Sequence, residues 1–353
     1  MLNIYAGEGA LKQIQQQGIQ QQMFRHFLGA SGGPKWFTLF GLDKYLFGEF
    51  FKDRTETLNL IGSSAGAFRS ACFAQNDPVL AISTLAEHYH KTVYEGRPSP
   101  AEITQSAVDM LEPMFGETGV RQILDNKIFK AHFIVAKCNG FVASENRLVQ
   151  GLGIAKSLLL NKHARSNLNN QYQRFIFSAP GSDLTISDHA NIHTQKVTLT
   201  HDNLRQALVA SGSIPLVMSG IENILGAPTG MYRDGGIIDY HFDFEIEQPG
   251  LTLYPHFSET IKPGWFDKNS NRSFLPENYH NTVVVCPSEE FVASLPYQKI
   301  PDRKDFETMT PEQRIPYWSL VLKETERLAA SFDELVQKQQ LDRVKPIQSI
   351  AVV

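Results

Sequence analysis

Short apolar runs alternate along the chain with stretches in which apolar residues recur at three- and four-residue spacing. The run 24–30 (FRHFLGA) predicts a strand and 36–51 predicts a helix after it. The unit repeats in 57–61 (TLNLI) and 65–75. Further short apolar runs predict strands at 132–137, 174–178, 197–200, 251–254 and 282–286. This alternation predicts an α/β protein with a mostly parallel sheet covered by helices on both faces.

The two ends of the chain carry helical patterns outside this alternating region. Residues 9–22 contain two glutamine triplets and predict a polar surface helix ended by a glycine. Residues 311–341 predict a C-terminal packing helix or helix pair. We therefore predict a single α/β domain over 1–353, with a motif-bearing core in about 20–260 and a helical addition in about 305–345.

Composition narrows the class of partner and the compartment. The net charge of −4 and the scattered lysines and arginines give no clustered basic face for nucleic acid, so small molecules or lipids are the predicted partners. Three cysteines at unrelated spacings argue against a disulfide framework and a zinc cluster. The N-terminal residues lack the features of a signal peptide, and no apolar run reaches the roughly 18 residues that span a bilayer. We predict a cytoplasmic protein. The alternative is export by a route that does not use a signal peptide.

Residues 62–66 (GSSAG) contain the pattern Gly-x-Ser-x-Gly between a predicted strand and a predicted helix. A serine nucleophile on such a turn holds a strained backbone, so the residues two before and two after it must be small. Glycines meet this demand for Ser64, whereas Ser63 has an isoleucine at one of the two positions. The turn also directs the amide of Ala65 at the site where charge develops on an attacked carbonyl. The alternative is a glycine-rich turn that binds phosphate or only connects strand and helix.

A second glycine-rich loop, 31–36 (SGGPKW), follows the first predicted strand. It fails as a P-loop, because Pro34 occupies a glycine position and Trp36 replaces the serine or threonine that would reach magnesium. A dinucleotide fingerprint fails as well. The amides of Gly32 and Gly33 fit an oxyanion hole, since fixed donors stabilise a tetrahedral intermediate without reorganising. A turn with no chemical role is the alternative.

A serine hydroxyl needs a neighbouring base that accepts its proton. Eleven histidines are present, and the sequence singles out none of them. The other candidate is Asp234 in 232–236 (YRDGG), where two glycines allow a sharp turn and close backbone approach. Asp239 is the fallback base, and a turn without chemistry is the alternative for the whole stretch.

Together these motifs resemble the patatin-like phospholipase family. The loop 31–36 is similar to the family's glycine-rich oxyanion loop with its basic residue, and 62–66 to its nucleophile elbow. The stretch 234–236 is similar to the family's aspartate motif, and 210–215 (ASGSIP) to the small-residue and proline stretch before it. The four pieces occur in the family's order and cover about residues 20–240.

The resemblance implies a three-layer αβα fold and a Ser-Asp dyad, with Ser64 as nucleophile and Asp234 as general base and then acid. It implies that the amides of Gly32, Gly33 and Ala65 surround the oxyanion. The implied activity is hydrolysis of lipid acyl esters, of the phospholipase or lysophospholipase type, through an acyl-enzyme with no metal or other cofactor. Transient contact with a membrane surface is implied as well.

Two residues of the loop 31–36 have alternative interpretations. Lys35 matches the family's basic position and either steers a phosphate head group or is a solvated lysine. Trp36 either narrows the acyl pocket or packs in the core. Because Ser31 and Trp36 stand where the family commonly has glycine, a catalytically silent lipid-binding or regulatory protein is one alternative. The other is an α/β-hydrolase esterase with a Ser-His-Asp triad, in which His256 or His280 is the base.

Overall fold

The computed structural model describes residues 1–351 of the 353-residue chain. The strands in these residues are β1 (Leu2–Ala6), β2 (Phe24–Gly29), β3 (Leu58–Ser63), β4 (Phe129–Cys138), β5 (Tyr172–Ser178), β6 (Ile186–Ser187), β7 (Thr194–Thr198), β8 (Ile221–Glu222), β9 (Met231–Asp234), β10 (Glu245–Ile246), β11 (Leu251–Pro255), β12 (Thr282–Pro287) and β13 (Val344–Pro346). Eleven of them form one sheet, and β6 and β10 form a separate pair.

The helices lie between and after these strands. Their bounds are α1 (Glu8–Gln17), α2 (Phe40–Tyr45), α3 (Ala65–Phe73), α4 (Pro78–Lys91), α5 (Pro100–Asp109), α6 (Leu111–Phe115), α7 (Gly119–Asp125), α8 (Arg147–His163), α9 (Leu204–Gly212), α10 (Glu289–Ser294), α11 (Asp305–Thr308), α12 (Pro311–Glu324), α13 (Glu326–Lys338) and α14 (Gln348–Ala351). Short 3-10 segments relevant to the site are Gly33–Leu39, Gly140–Ala143, Gly235–Ile237 and Trp265–Asp267. Across residues 1–351, no helix combines the length and the apolar composition needed to cross a bilayer.

The large sheet has the strand order β13-β1-β12-β11-β2-β3-β4-β5-β7. Its central strands, from β12 through β11, β2 and β3 to β4, all pair in parallel. Antiparallel pairs occur towards the edges, between β1 and β12 and between β4 and β5. The prediction of an α/β fold with a mostly parallel central sheet flanked by helices is therefore confirmed.

Both faces of the sheet are buried. Successive side chains of a strand point to opposite faces, so neighbouring residues of one strand belong to different parts of the core. In β4, Phe133 and Val135 belong to the core that includes side chains of α3, α4, α9, α12 and α13. Ile134 and Ala136 face the other side, which is covered by α8 and by the segment after β9. This double burial explains why strands such as β12 are apolar at nearly every position.

Most predicted elements are present, with ends that differ by a few residues. Each apolar run that predicts a strand forms one, and 311–341 forms the helix pair α12 and α13. The predicted helix 36–51 is helical but is not one α-helix, since a 3-10 segment precedes α2 and the π-helical segment Leu46–Phe50 follows it. Glycines at 41 and 48 lower the α-helical propensity there. The strands β1, β6, β8, β9, β10 and β13 are not among the predicted ones.

The short strand β9 brings distant parts of the chain together. The ten-residue strand β4 pairs along one edge with β3 and β9 in succession. Ser63 at the end of β3 lies opposite Ile134, and Asp234 at the end of β9 lies opposite Val135. Because β3 runs parallel to β4 and β9 runs antiparallel to it, the C-terminal ends of β3 and β9 meet at this point.

Candidate active site

The turn between β3 and α3 holds Ser64 in a strained conformation. Its φ is 53° and its ψ is −125°, in a region that non-glycine residues rarely adopt. The Ser64 amide donates to Ser211 Oγ at 3.0 Å, and Ser211 Oγ donates to the carbonyl of Ile134 at 2.7 Å. The end of α9 therefore fixes the strained turn to the central strand β4.

The glycines on either side of Ser64 are required by close backbone contacts. A Cβ on Gly62 would lie 2.2 Å from the carbonyl oxygen of Gly66. A Cβ on Gly66 would lie 1.7 Å from the carbonyl oxygen of Gly29, which ends β2. The start of α3 thus packs directly on two strand ends, which is the physical reason for the small residues in 62–66.

We expect Gly66→Ala to lower the free energy of unfolding by roughly 1–3 kcal/mol, because the added methyl group forces the backbone of Gly29 and Gly66 apart. Gly151→Ala in α8 is the matched control, since no atom beyond its neighbours and its own helix backbone lies within 4 Å of its Cβ position. Alanine favours the helix there, so this variant should be as stable as the wild type or about 0.5–1 kcal/mol more stable. Urea denaturation measures both, and equal loss in the two variants would contradict the contact argument.

Asp234 lies at the end of β9 within hydrogen-bond distance of Ser64. Asp234 Oδ2 accepts from Ser64 Oγ at 2.8 Å, and Oδ1 accepts from the Gly236 amide at 2.7 Å. The Asp234 amide donates to the carbonyl of Ser213 at 3.1 Å, so the end of α9 orients both partners. A Cβ on either glycine after Asp234 would come within 2.5 Å of another atom.

Burial changes the proton affinity of Asp234. The side chain is 6% exposed, and this desolvation raises its pKa from 3.8 to about 6. Hydrogen bonds from Ser64 and Gly236 and the charge of Lys268 oppose the shift. A carboxylate with a pKa near 6 is ionised at neutral pH and is a stronger base than an ordinary aspartate.

Backbone amides that could stabilise an oxyanion lie beside the serine. Gly32 and Gly33 have φ values of 156° and 55°, which glycine adopts readily. Gly33 and Ala65 begin helical segments, where the first amides have no acceptor within the helix. Gly32 and Gly33 line the same cavity as Ser64 and Asp234. The structure thus brings these sequence-predicted residues to one place.

Lys35 and Trp36 have different environments. Lys35 lines the cavity, and its ammonium group lies 3.5 Å from a carboxylate oxygen of Asp302. Trp36 is 2% exposed and packs edge-on against Phe37 and Phe40 in the core. Among residues 1–351, those that line the cavity do not include Trp36. Of its two interpretations, core packing is therefore the one that describes it.

The other candidate bases lie in different surroundings. His256 is fully buried, and desolvation lowers its pKa to about 3. His280 lies beside α1. Within residues 1–351 the Ser64 hydroxyl donates to Asp234, and neither histidine hydrogen bonds to it. Asp239 is held by the guanidinium group of Arg174 through two hydrogen bonds of 2.6 and 2.8 Å.

Ser64 faces a cavity of about 500 Å³ with a strongly basic lining. The cations that line it are Lys35, Lys262, Lys268, Arg303 and Lys304. The Lys262 ammonium group donates to two backbone carbonyls, at 2.8 and 3.3 Å. The ion pairs of residues 1–351 do not include Lys268, Arg303 or Lys304. Asp234 and Asp302 are the carboxylates that line the same cavity.

Metal-ligating side chains show no clustering in the part of the chain that the structure describes. No group of three or more His, Cys, Asp or Glu side chains in residues 1–351 is arranged to hold a metal ion. Cys72, Cys138 and Cys286 are each buried and unpaired.

The sequence gives little signal for two parts of this site. Ser211 contacts the Ser64 amide, and the only pointer to it is its place in the small-residue stretch 210–215. The cations of the cavity come from segments far apart in the chain, so no spacing links Lys35 with Lys268 or Arg303.

The fold and site define an α/β protein in which a serine on a strand-to-helix turn is hydrogen bonded to a buried carboxylate. Among solved structures, the chain is similar to human GIVD cytosolic phospholipase A2, at 12% identity and a TM-score of 0.36, over 95% of this chain and 65% of that chain. The same phospholipase in complex with methyl gamma-linolenyl fluorophosphonate and terbium chloride matches at 12% identity and a TM-score of 0.36, over 95% and 62%. The chain thus spans less than two thirds of the length of these phospholipase chains. No family model matches it, and no curated protein matches it in sequence.

Proposed function

We propose that the protein is a serine hydrolase that cleaves acyl esters of lipids through a Ser-Asp dyad. The observation that carries the proposal is the 2.8 Å hydrogen bond from Ser64 Oγ to Asp234 Oδ2 at a strained strand-to-helix turn. A base that accepts the hydroxyl proton activates serine as a nucleophile. Backbone strain at a non-glycine residue is a common feature of functional sites.

In the proposed reaction, Ser64 Oγ attacks the ester carbonyl carbon while Asp234 accepts the hydroxyl proton. The amides of Gly32, Gly33 and Ala65 donate to the oxygen that becomes negative. Collapse of the tetrahedral intermediate forms the acyl-enzyme, and Asp234 returns its proton to the departing alcohol. Asp234 then deprotonates a water molecule, which attacks the acyl group, releases the fatty acid and restores Ser64.

A fluorophosphonate reagent tests the nucleophile. Attack by Ser64 Oγ displaces fluoride and leaves a phosphonyl adduct, and we expect peptide mapping to find it on Ser64. Ser64→Ala should abolish the adduct, whereas Ser63→Ala, the matched control at the neighbouring buried serine, should retain it. If wild-type protein forms no adduct, with or without added lipid, the proposal is wrong and a silent lipid-binding protein becomes the better description.

The charge of the cavity supports an ester that bears a phosphate. A phosphate diester carries about one negative charge at pH 7 and a phosphate monoester about −1.5 to −2, and cations are the usual partners of both in proteins. Lys268, Arg303 and Lys304 line the cavity and lack an ion-pair partner in residues 1–351. We therefore propose a phospholipid or lysophospholipid substrate whose phosphate lies among these side chains and Lys35.

A pair of soluble esters that differ only in the phosphate tests this placement. We expect kcat/KM for 1-hexanoylglycerol 3-phosphate to exceed that for 1-hexanoylglycerol by about tenfold or more, since hydrogen bonds between charged groups contribute about 1.5–3 kcal/mol. Lys268→Met should lower this ratio about tenfold. Lys323→Met, a charge removal at an exposed position of α12, should leave the ratio unchanged. A wild-type ratio near one would contradict the phosphate placement without contradicting the hydrolase.

A further inference from the structure

The helix α8 presents polar or small residues to the protein and apolar residues to solvent. The residues on its buried face are Gln150, Gly153, Ser157 and Asn161. The most exposed leucines are Leu148 at 81%, Leu152 at 65% and Leu159 at 70%. Surface helices of globular proteins normally have the opposite arrangement, with the apolar stripe against the core. Packing within this chain therefore does not explain the leucines.

The exposed leucines form one continuous stripe. Leu148, Leu152, Ala155 and Leu159 are separated by four, three and four residues and so lie on one face of the helix. Leu158 and the preceding Phe141, at 50% and 58% exposure, widen the patch. Of the thirteen exposed large hydrophobic side chains in residues 1–351, five lie between 141 and 159. Clustering of this kind marks an interaction surface.

The charges on α8 favour an anionic surface as the partner. The helix contains Arg147, Lys156 and Lys162, all exposed, and no aspartate or glutamate. An apolar face flanked by cations is the pattern of a helix that lies in the interface of a bilayer. Pairing of two copies of α8 would bring like charges together, and the stripe is shorter than the three heptads that a coiled coil needs.

The helix also borders the candidate active site. Gln150 Oε1 accepts from the amide of Leu216 at 2.6 Å, and Asn161 Nδ2 donates to Asp267 Oδ1 at 2.7 Å. Leu216 and Asp267 each adjoin a residue that lines the cavity of Ser64. A bilayer in contact with the outward face of α8 would therefore be about one helix diameter, roughly 10 Å, from the segments that adjoin this cavity.

We propose that the outward face of α8, formed by Leu148, Leu152 and Leu159 with its flanking cations, docks the protein on an anionic bilayer. Docking would hold the cavity next to its lipid substrate. This role deepens the proposed lipid-ester hydrolysis and rests on it, although the docking surface shares no residue with the dyad.

Co-sedimentation of the full chain with phosphatidylcholine vesicles, with and without phosphatidylserine, tests the proposal. We expect binding that increases with phosphatidylserine, and a loss of at least about tenfold in Leu148→Ser/Leu152→Ser/Leu159→Ser, because three apolar side chains no longer enter the bilayer. The matched control replaces three exposed leucines elsewhere, Leu80, Leu225 and Leu320, and should bind like the wild type. Hydrolysis of 1-hexanoylglycerol should be the same in both triple variants and the wild type.

Equal vesicle binding by the wild type and the α8 variant would overturn the proposal. Vesicle binding that does not change with the phosphatidylserine content would overturn the choice of an anionic bilayer. Sedimentation velocity without lipid tests whether the stripe binds a second copy of the chain instead. An oligomer that the wild type forms and the α8 variant does not form would assign the stripe to that contact and would overturn the bilayer proposal. Vesicle binding without ester hydrolysis would contradict the proposed function alone.

Discussion

Replacement of Asp234 by Asn is expected to lower kcat for ester hydrolysis by about 10³-fold or more, to the level of Ser64→Ala. An asparagine keeps the shape of the side chain and can still accept the hydrogen bond from the Gly236 amide, but it cannot take the proton of Ser64. Because the two residues act as one unit, the double variant should be no slower than either single variant. Initial rates with a soluble short-chain ester measure all three.

A histidine variant provides the control for this prediction. His280 lies beside α1, and His280→Ala should retain most of the turnover. In the wild type, kcat/KM should rise with pH through an apparent pKa near 6, since burial raises the pKa of Asp234 to about 6 and only the ionised form accepts a proton. Loss of turnover in a histidine variant together with an active Asp234→Asn would contradict the dyad and favour a triad.

Asp234→Asn should also stabilise the fold at neutral pH. The pKa of Asp234 rises from 3.8 in the unfolded chain to about 6 in the folded protein, so its favourable contribution is complete below pH 4 and is lost as the pH rises through 6. Asparagine carries no charge. The free energy of unfolding of the variant should therefore exceed that of the wild type by roughly 1–3 kcal/mol above pH 7 and should equal it below pH 4. Urea denaturation at the two pH values measures this difference.

Asp302→Asn is the matched control with the opposite sign. Asp302 lines the same cavity, where burial opposes ionisation but the Lys304 amide and the charge of Lys35 hold the pKa of the carboxyl below its ordinary value. Its removal should therefore destabilise the protein at neutral pH. A gain in stability from both substitutions would show that the effect is unrelated to the burial of Asp234.

The need for small residues at the turn 62–66 could be predicted from the sequence, because it arises between residues that are close together in the chain. The turn 62–66 needs glycines where a strand end and a helix start touch, and these contacts are short in the structure. The central strands could be predicted as well, since burial on both faces makes most of their residues apolar. The strand β1 (LNIYA) is too short and mixed in character to be recognised without its partners β12 and β13.

Long-range register was not readable. Ser64 and Asp234 meet because β3 and β9 pair with consecutive positions of β4, and nothing in the four-residue run of β9 encodes that pairing. The stripe of α8 is harder still, since leucines at helical spacing ordinarily indicate a buried face. Only the packing of Gly153 and Ser157 against the protein shows that this helix is oriented with its leucines outward.

Asp43→Ala is expected to lower the free energy of unfolding by about 3–5 kcal/mol, because it leaves a buried charge without a partner. The Nε and Nη2 atoms of Arg69 donate to the two carboxylate oxygens of Asp43 at 2.8 and 2.6 Å, and both side chains are fully buried. Arg69 lies on α3, whose first turn follows Ser64, and Asp43 lies on α2. The pair therefore ties the helix behind the candidate nucleophile to its neighbour.

Two further variants separate the loss of the pair from an ordinary loss of packing. Asp53→Ala removes an exposed aspartate and should change stability by no more than about 0.5 kcal/mol. Asp43→Leu/Arg69→Met removes both charges and fills the space with apolar atoms, so it should recover most of the stability that Asp43→Ala loses. The guanidinium group of Arg69 lies 5.5 Å from the ring centre of Phe27 and 5.8 Å from that of Phe73, so a methionine there would contact apolar neighbours. If urea denaturation finds the double variant as unstable as Asp43→Ala, the cost comes from altered packing of α2 and α3 and not from an uncompensated charge.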